Sequence, residues 1–501
     1  MENIIFKRLS MYIGVFLFFP VLLNSQNYYN LNKDLRSAYT NILNLNLEKG
    51  QKILDSLKYA EPENMAVYHI ENYIDFFRIF INEDTREFSK LEENKDFRLK
   101  KLRTIDKKSP YYKFSIAEVY LQWALSRLKF EEYFTALREI DKAYDLLEEN
   151  RERFPEFVLN NKSLSIIHAV IGTLPDTYKT LLKFFSNLDG TISQGSDEIG
   201  NVLSFSRKNN FFFKDEAYTI AIFMAFHLEN DPVKAWKIVK EANLDVSNSP
   251  LACFVVANMA QKTGRNDYAI QILEKKPDSH SKLPFYYLDY MLGKSYLYKM
   301  DPRAINYLNY FVNNFNGKNY IKDAYLKIAW YEYVKNHSEE GYWKNIEKCA
   351  SKGEKIVDED KSAYKEAMKA ILPDSILLKA RILFDGAYYL KAYSYLVRNE
   401  NKFVNKGDKS LEFYYRMGRV LEELNSFEAL KYFEKTIELG KDNKLYFACN
   451  AAMQTGVIYE KMKKYKEAEN FYKMCLGMNP EEYKNSIHQK AKAGLIRIKS
   501  K

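Results

Sequence analysis

Pairs of small residues separated by 12 positions recur along this chain of 501 residues. Gly456 and Ala468 form the pair nearest the C-terminus, and the apolar residues around them follow the spacing of amphipathic helices. Small residues at the crossing point of two antiparallel helices allow the backbones to approach closely, so this spacing is typical of a helical hairpin. Four further pairs share it, namely Ala38 with Gly50, Ala124 with Ala136, Ala257 with Ala269, and Ala380 with Ala392.

Glycine and proline are scarce, which favours helices over strands and turns. The sequence has 18 glycines and 12 prolines, together 30 of 501 residues, whereas an average protein uses about twice that share. Sandwiches, barrels and glycine-rich cofactor folds need many tight turns, so the composition argues against them.

Two more pairs of small residues fit a hairpin whose turn is one residue shorter, Gly293 with Ala304 and Gly418 with Ala429. We therefore predict an all-α superhelix of helical hairpins.

The last repeat carries a fuller signature over residues 449–480. The signature residues stand at relative positions 8, 11, 17, 20, 24 and 32, which are Gly456, Tyr459, Tyr465, Ala468, Tyr472 and Pro480. In these residues the stretch resembles a tetratricopeptide repeat (TPR), a repeat of two antiparallel helices. We expect positions 8 and 20 to meet where the helices cross, the aromatic residues to fill the surrounding space, and Pro480 to end the second helix.

The N-terminal half is less regular than the C-terminal half. Residues 155–205 are interrupted by Pro155, Pro175, Gly190 and Gly195. This segment resembles the central part of a eukaryotic TPR family implicated in inclusion-body clearance, and the resemblance implies the fold only. We divide the chain at about Pro250, into an irregular helical repeat region over 26–250 and a TPR-like array over 251–501.

The first 25 residues have the features of a signal peptide. Lys7 and Arg8 precede an apolar stretch of 13 residues from Met11 to Leu23, and Ser25 offers a small residue for cleavage before Gln26. This stretch is shorter than the roughly 20 residues that span a bilayer, and an uncleaved anchor is the alternative. Since no cysteine follows it, we expect no lipoprotein. We predict export to the periplasm of a Gram-negative bacterium, with peripheral attachment to the outer membrane as an option and no integral segment in the mature chain.

Sequence motifs for catalysis are lacking. The chain contains no G-x-G-x-x-G, G-x-S-x-G or H-E-x-x-H, and Ser196 and Asp197 follow Gly190 and Gly195 where a phosphate-binding loop needs lysine and a hydroxyl. The net charge of +10 comes from basic residues interleaved with acidic ones, which argues against nucleic-acid binding. We predict no enzyme, no cofactor and no metal.

The four cysteines are Cys253, Cys349, Cys449 and Cys475. Each lies in an apolar helical pattern, which indicates buried thiols. Cys449 and Cys475 share one hairpin, so a disulfide between them stays open.

Candidate binding residues follow from the concave face that stacked hairpins leave. Positions 5 and 9 of the first helices point there, and the candidates at these positions are Asn258, Tyr290, Lys294, Arg381, Tyr415 and Arg419. A row of cations with aromatic neighbours suits an extended acidic peptide or a terminal carboxylate. The alternative is that these cations pair locally with residues such as Glu422 or Asp374.

The sequence therefore predicts an exported, non-catalytic TPR-like scaffold for protein–protein interaction in the bacterial envelope. The alternative is a carbohydrate-binding accessory protein, in which exposed tyrosine and tryptophan rings stack on sugars. Aromatic residues make up 15% of the chain, and most are expected to pack between repeats. Phe211, Phe212 and Phe213 cannot all face inward on one helix, so we expect part of this run to contact a neighbour or a partner.

Overall fold

The structure, a computed structural model, describes residues 26–174 and 186–499. These residues form 24 α-helices and, in place of a sheet, a single isolated bridge between Tyr28 and Asn64. The predicted all-α class is therefore confirmed. The predicted signal peptide lies outside the described residues.

Ten helices form the N-terminal half. They are α1 (Lys33–Leu43), α2 (Leu47–Ala60), α3 (Ala66–Asn82), α4 (Thr85–Leu102), α5 (Pro110–Lys129), α6 (Tyr133–Arg153), α7 (Leu159–Gly172), α8 (Ile192–Lys208), α9 (Lys214–Phe223) and α10 (Pro232–Ala242). A π-helical turn, Met224–Leu228, continues α9. The main hairpins are α1/α2, α5/α6 and α7/α8.

Fourteen helices follow in the C-terminal half. They are α11 (Pro250–Lys262), α12 (Asn266–Glu274), α13 (Tyr287–Lys299), α14 (Ala304–Asn314), α15 (Ile321–Val334), α16 (Glu339–Ser351), α17 (Asp358–Met368), α18 (Ser375–Asp385), α19 (Tyr389–Val397), α20 (Asp408–Glu423), α21 (Ala429–Gly440), α22 (Phe447–Lys461), α23 (Tyr465–Gly477) and α24 (Lys484–Lys499). Six hairpins run from α11/α12 to α22/α23. The single helix α17 is inserted after α15/α16, and α24 caps the array by packing on α22 and α23.

Polar caps and prolines explain where many helices begin. Side-chain oxygens accept hydrogen bonds from first-turn N–H groups at Asn32, Asp84, Ser109, Ser249 and Asp374. Helices α5, α10 and α11 also carry proline at the start, where a missing N–H breaks no helical hydrogen bond.

The small residues of the C-terminal pairs are buried, as close helix packing requires. They are Ala257, Ala269, Gly293, Ala304, Ala380, Ala392, Gly418, Ala429, Gly456 and Ala468. In the last repeat Tyr472 is fully buried and Tyr459 stacks on Phe471 with 5.5 Å between ring centroids, while Tyr465 is half-buried. Helix α23 ends at Gly477, before Pro480.

In the three repeats that have glycine at position 8, the nearest neighbour of that glycine is not the expected residue at position 20. A Cβ added to Gly456 would lie 2.6 Å from the ring of Tyr472, at position 24 of the repeat. A Cβ on Gly418 would lie 2.5 Å from the ring of Phe433, and one on Gly293 would lie 2.8 Å from Leu308. The glycine therefore receives a large side chain from the partner helix, and the alanine at position 20 is not its nearest neighbour.

Glycines also explain the irregular segment at 155–205. A Cβ on Gly190 would lie 2.5 Å from the Cα of His168, and one on Gly195 would meet the carbonyl oxygen of Ser165. These two glycines allow α8 and its preceding loop to pack directly on the backbone of α7. Pro175 lies outside the described residues.

The end of α1 and the turn after it contact the segments before α11 and after α12. The hydroxyl of Ser249 donates to the carbonyl of Leu43 over 3.0 Å, and the N–H of Leu283 donates to the carbonyl of Leu45 over 2.8 Å. The hydrophobic core that begins at Leu35 extends to Met259. This core continues past Pro250, and the division proposed there stays a prediction.

Phe211, Phe212 and Phe213 contact neighbouring residues of the chain, which is one of the two outcomes expected for part of this run. All three are buried in the same N-terminal core. They lie in the loop between α8 and α9, so helical periodicity does not limit their directions. Phe212 and Phe213 both contact the ring of Tyr39 on α1, with centroid distances of 5.0 and 5.4 Å.

Candidate functional site

A groove of about 360 Å³ lies on the side of the array formed by the first helices of the hairpins. Residues of α11, α13, α15, α17 and α18 line it, together with the loop between α23 and α24. Its charged lining consists of six cations and five carboxylates, which are Lys262, Lys294, Lys327, Lys365, Lys369, Arg381, Asp323, Asp358, Glu359, Glu366 and Glu482. The groove is polar and of nearly balanced charge.

Most groove cations are neutralised within the chain. The Arg381 guanidinium lies 3.0 Å from a carboxylate oxygen of Glu366 and 4.5 Å from the ring centroid of Trp330. The Lys369 ammonium lies 2.8 Å from Glu482. The other two pairs are Lys327 with Asp323 at 3.2 Å and Lys262 with Glu359 at 3.8 Å. An incoming anion would therefore compete with existing carboxylates at these cations.

Lys294 differs from these cations. It is half-buried, and within the described parts of the chain its ammonium makes no ion pair or hydrogen bond. It lies 4.8 Å from the ring centroid of Tyr290. Burial lowers the pKa of Lys294 to about 8, with Lys262 and Lys327 adding to this effect while Asp323 and Glu359 oppose it. An anion bound beside Lys294 would stabilise the charged form of the ammonium, which burial disfavours.

The other predicted site residues lie elsewhere. Arg419 is outside the groove lining and pairs with Glu422 at 3.1 Å and Glu423 at 3.5 Å, so the expected local pairing with Glu422 is present. Asp374, the second expected partner, instead caps α18 and lies 3.3 Å from Lys409. Asn258 is half-buried and is not among the residues that line the groove. Of the candidates, the structure brings Lys294 and Arg381 into one groove.

The two predicted binding tyrosines are buried. Tyr290 is 0% exposed and Tyr415 is 6% exposed. The hydroxyl of Tyr290 donates to Asp323 over 2.6 Å, and the hydroxyl of Tyr415 accepts from Asn450 over 2.8 Å. Neither ring offers the open face that stacking on a sugar requires.

Sequence reasoning missed a buried polar cluster in the N-terminal core. The ammonium of Lys162, which is 0% exposed, lies 2.6 Å from both Glu118 and Glu216. The hydroxyls of Tyr39 and Tyr73 donate to Glu216, each over 2.9 Å. Burial disfavours the charged lysine, but the two carboxylates outweigh this effect and raise the pKa of Lys162. We name Lys162, Glu118 and Glu216 the buried triad.

His69 lies beside the buried triad. It is completely buried, and the hydroxyl of Tyr29 lies 2.6 Å from Nδ1. Burial, together with the charge of Lys162, lowers the pKa of His69 to about 3, although Glu216 acts in the opposite direction. The folded chain therefore holds a neutral imidazole here.

We expect the His69 environment to make folding sensitive to acid. Below about pH 6.5 the unfolded chain protonates this histidine while the folded chain does not, so stability falls as pH decreases, by roughly 1 kcal/mol per pH unit. Urea unfolding of the wild type and of His69→Gln between pH 7.5 and 5 measures this effect, and the difference between them should shrink as pH falls. His280→Gln is the control because His280 is exposed and pairs with Asp278. A constant difference would contradict the neutral state of His69.

Comparisons with known proteins add little to this geometry. No protein-family model matches the chain, and no curated protein matches it significantly. Among matching solved structures, a crystal structure of the P58(IPK) TPR domain is 15% identical to the chain. The match spans 85% of this chain and the full length of the P58(IPK) TPR domain chain, with a TM-score of 0.22. This TM-score is too low to carry an argument, so the helical-repeat assignment depends on the hairpins described above.

Within residues 26–174 and 186–499, no helix combines enough length with enough apolar character to cross a bilayer.

Proposed function

We propose that this protein is an exported, non-catalytic scaffold that binds another protein in the envelope of a Gram-negative bacterium. The groove between α11 and α18 is the proposed contact surface. The observation that carries this proposal is Lys294, a half-buried cation at the groove wall whose neighbours leave it without an ion pair in the described residues. Such a group favours an acidic side chain or a terminal carboxylate of an extended segment.

Two features support the setting and the binding mode. The charged n-region, short apolar stretch and Ser25 at the start of the sequence are typical of export. Stacked hairpins leave a long concave surface exposed. Helical-repeat proteins commonly bind extended partners on such a surface. The buried rings of Tyr290 and Tyr415 favour a protein over a carbohydrate as the ligand.

We expect Lys294→Met to weaken partner binding by about tenfold to a hundredfold. One charge-assisted hydrogen bond contributes about 1.5–3 kcal/mol, and methionine removes the charge while keeping the apolar part of the side chain. The measurement is chemical crosslinking in the native envelope, followed by quantification of the recovered partner and mapping of its crosslinks to groove residues. The N-terminus of the recovered protein, expected near Gln26, tests export in the same preparation.

Lys431→Met is the matched control because Lys431 is exposed on α21, away from the groove. The melting temperature of Lys431→Met should equal that of the wild type, and that of Lys294→Met should be no lower, because burial disfavours the charge that this variant removes. Recovery should fall with added salt because screening acts over about 10 Å. Equal recovery by the wild type and folded Lys294→Met would contradict the proposed groove. Retention of a glycan by both, without dependence on salt, would instead support the carbohydrate-binding alternative.

A further inference from the structure

Three consecutive helices at the C-terminal end each place a metal-ligating side chain at one point. Cys449 comes from α22, Cys475 from α23 and His488 from α24. The two sulfurs are 3.7 Å apart, and one ligand atom from each of the three residues lies within 4.8 Å of the other two. Both cysteines are buried free thiols, and His488 is half-buried. Nothing in the TPR signature requires these residue types at these positions.

The distance between the sulfurs fits a tetrahedral metal ion. Zinc–sulfur bonds of about 2.3 Å that meet at the tetrahedral angle place two sulfurs about 3.8 Å apart. A disulfide needs about 2.05 Å between its sulfurs. The pair at 3.7 Å therefore matches two thiolates that share one ion, without movement of either helix.

His488 has the hydrogen bond that a ligating histidine commonly makes. Its Nε2 lies 3.1 Å from the carbonyl oxygen of Met478, to which Nε2–H donates. That hydrogen bond fixes the tautomer in which Nδ1 carries a lone pair. Metal-binding histidines commonly donate their second ring N–H to a backbone carbonyl in this way, which orients the ring and increases its basicity.

We propose that Cys449, Cys475 and His488 form a binding site for a thiophilic divalent cation, with Zn²⁺ as the best fit. Binding releases the two thiol protons to solvent and forms two metal–sulfur bonds and one metal–nitrogen bond. Zn²⁺ takes four ligands, so we assign the fourth position to water, which reaches the site from the side of the half-buried His488. The ion joins the capping helix α24 to the last hairpin, so it protects the open end of the repeat array.

The test uses the reduced chain with Cys253→Ser and Cys349→Ser, so that Cys449 and Cys475 are the remaining cysteines. Zn²⁺ binding is measured by competition with a chromophoric chelator, and Co²⁺ is the spectroscopic probe. We expect one Zn²⁺ per chain, a thiolate-to-cobalt charge-transfer band and a higher melting temperature with metal. Cys449→Ser or Cys475→Ser should weaken binding by at least about a hundredfold, and His488→Asn by about tenfold or more.

Each alternative result overturns the proposal. The folded, reduced chain could bind no metal, or it could bind metal equally well after Cys449→Ser, which would place the ion elsewhere. A disulfide that forms between Cys449 and Cys475 in the presence of Zn²⁺ would show that the pair is a redox couple. If a serine variant does not fold, the cobalt spectrum of the two-cysteine chain still tests the proposal, because absence of the charge-transfer band excludes thiolate ligation.

Discussion

Lys162→Met should destabilise the N-terminal half by about 3–5 kcal/mol. The Lys162 ammonium is 2.6 Å from both Glu118 and Glu216, and it is the cation that compensates them inside the core. Methionine fills a similar volume, so the loss comes from leaving the buried Glu118 and the half-buried Glu216 without a counter-charge. The free energy of unfolding in urea at pH 7 measures the effect.

The control is an ion pair on the surface. Lys435 lies 2.9 Å from Glu438, and their side chains are 43% and 68% exposed, so Lys435→Met should change stability by less than about 0.5 kcal/mol. The double variant Lys162→Met with Glu118→Gln should recover part of the loss, because it removes one of the two uncompensated charges. A loss below about 1 kcal/mol for Lys162→Met would show that the buried triad is not formed as described.

The hairpins of the C-terminal array were predictable because their information is local. Each hairpin joins two helices that are adjacent in sequence, and in five of the six the small residues 11 or 12 positions apart already specify the pairing. No such pair was identified for α15/α16. The glycine contacts were predictable in part. Gly456 was identified as a close-contact position, but its neighbour Tyr472 depends on how the helices rotate about their axes, which spacing alone does not determine.

The buried triad was not predictable, because its members are far apart in sequence. Lys162 is 44 residues from Glu118 and 54 residues from Glu216, and each residue looks like an ordinary surface charge in its own helix. Only the tertiary packing of the N-terminal core brings α5, α7 and α9 together. No motif of fixed spacing could have indicated this contact.

The groove was predictable in its location and only partly in its residues. Lys294 and Arg381 share a repeat position and line the same groove. The partner of Arg381 is Glu366 on the inserted helix α17, which the repeat pattern does not anticipate. For that reason Arg381→Glu would place a carboxylate beside Glu366 and disturb folding, whereas Lys294 gives a cleaner test of binding.

The packing of Tyr472 between two glycines sets the stability of the last repeat. Its ring faces Gly456 on α22 and Gly494 on α24, so a Cβ added at either position would overlap with the ring. The Tyr472 hydroxyl donates to Glu460 over 2.7 Å, which holds the ring in place. The ring is therefore held between the two glycines and at its hydroxyl, which opposes a shift away from an added methyl group.

We expect Gly456→Ala to destabilise the C-terminal array by about 1–3 kcal/mol, as overpacking does in well-packed cores. Gly200→Ala is the matched control because Gly200 lies within α8 with no atom near an added Cβ. There alanine should stabilise the chain by about 0.5–1 kcal/mol through helix propensity. In a Tyr472→Ala background, Gly456→Ala should no longer destabilise, since its opposing ring is absent. Denaturant unfolding of the four variants and the wild type measures these differences in the free energy of unfolding. If Gly456→Ala and Gly200→Ala both stabilised the chain, the packing of Tyr472 against Gly456 would be contradicted.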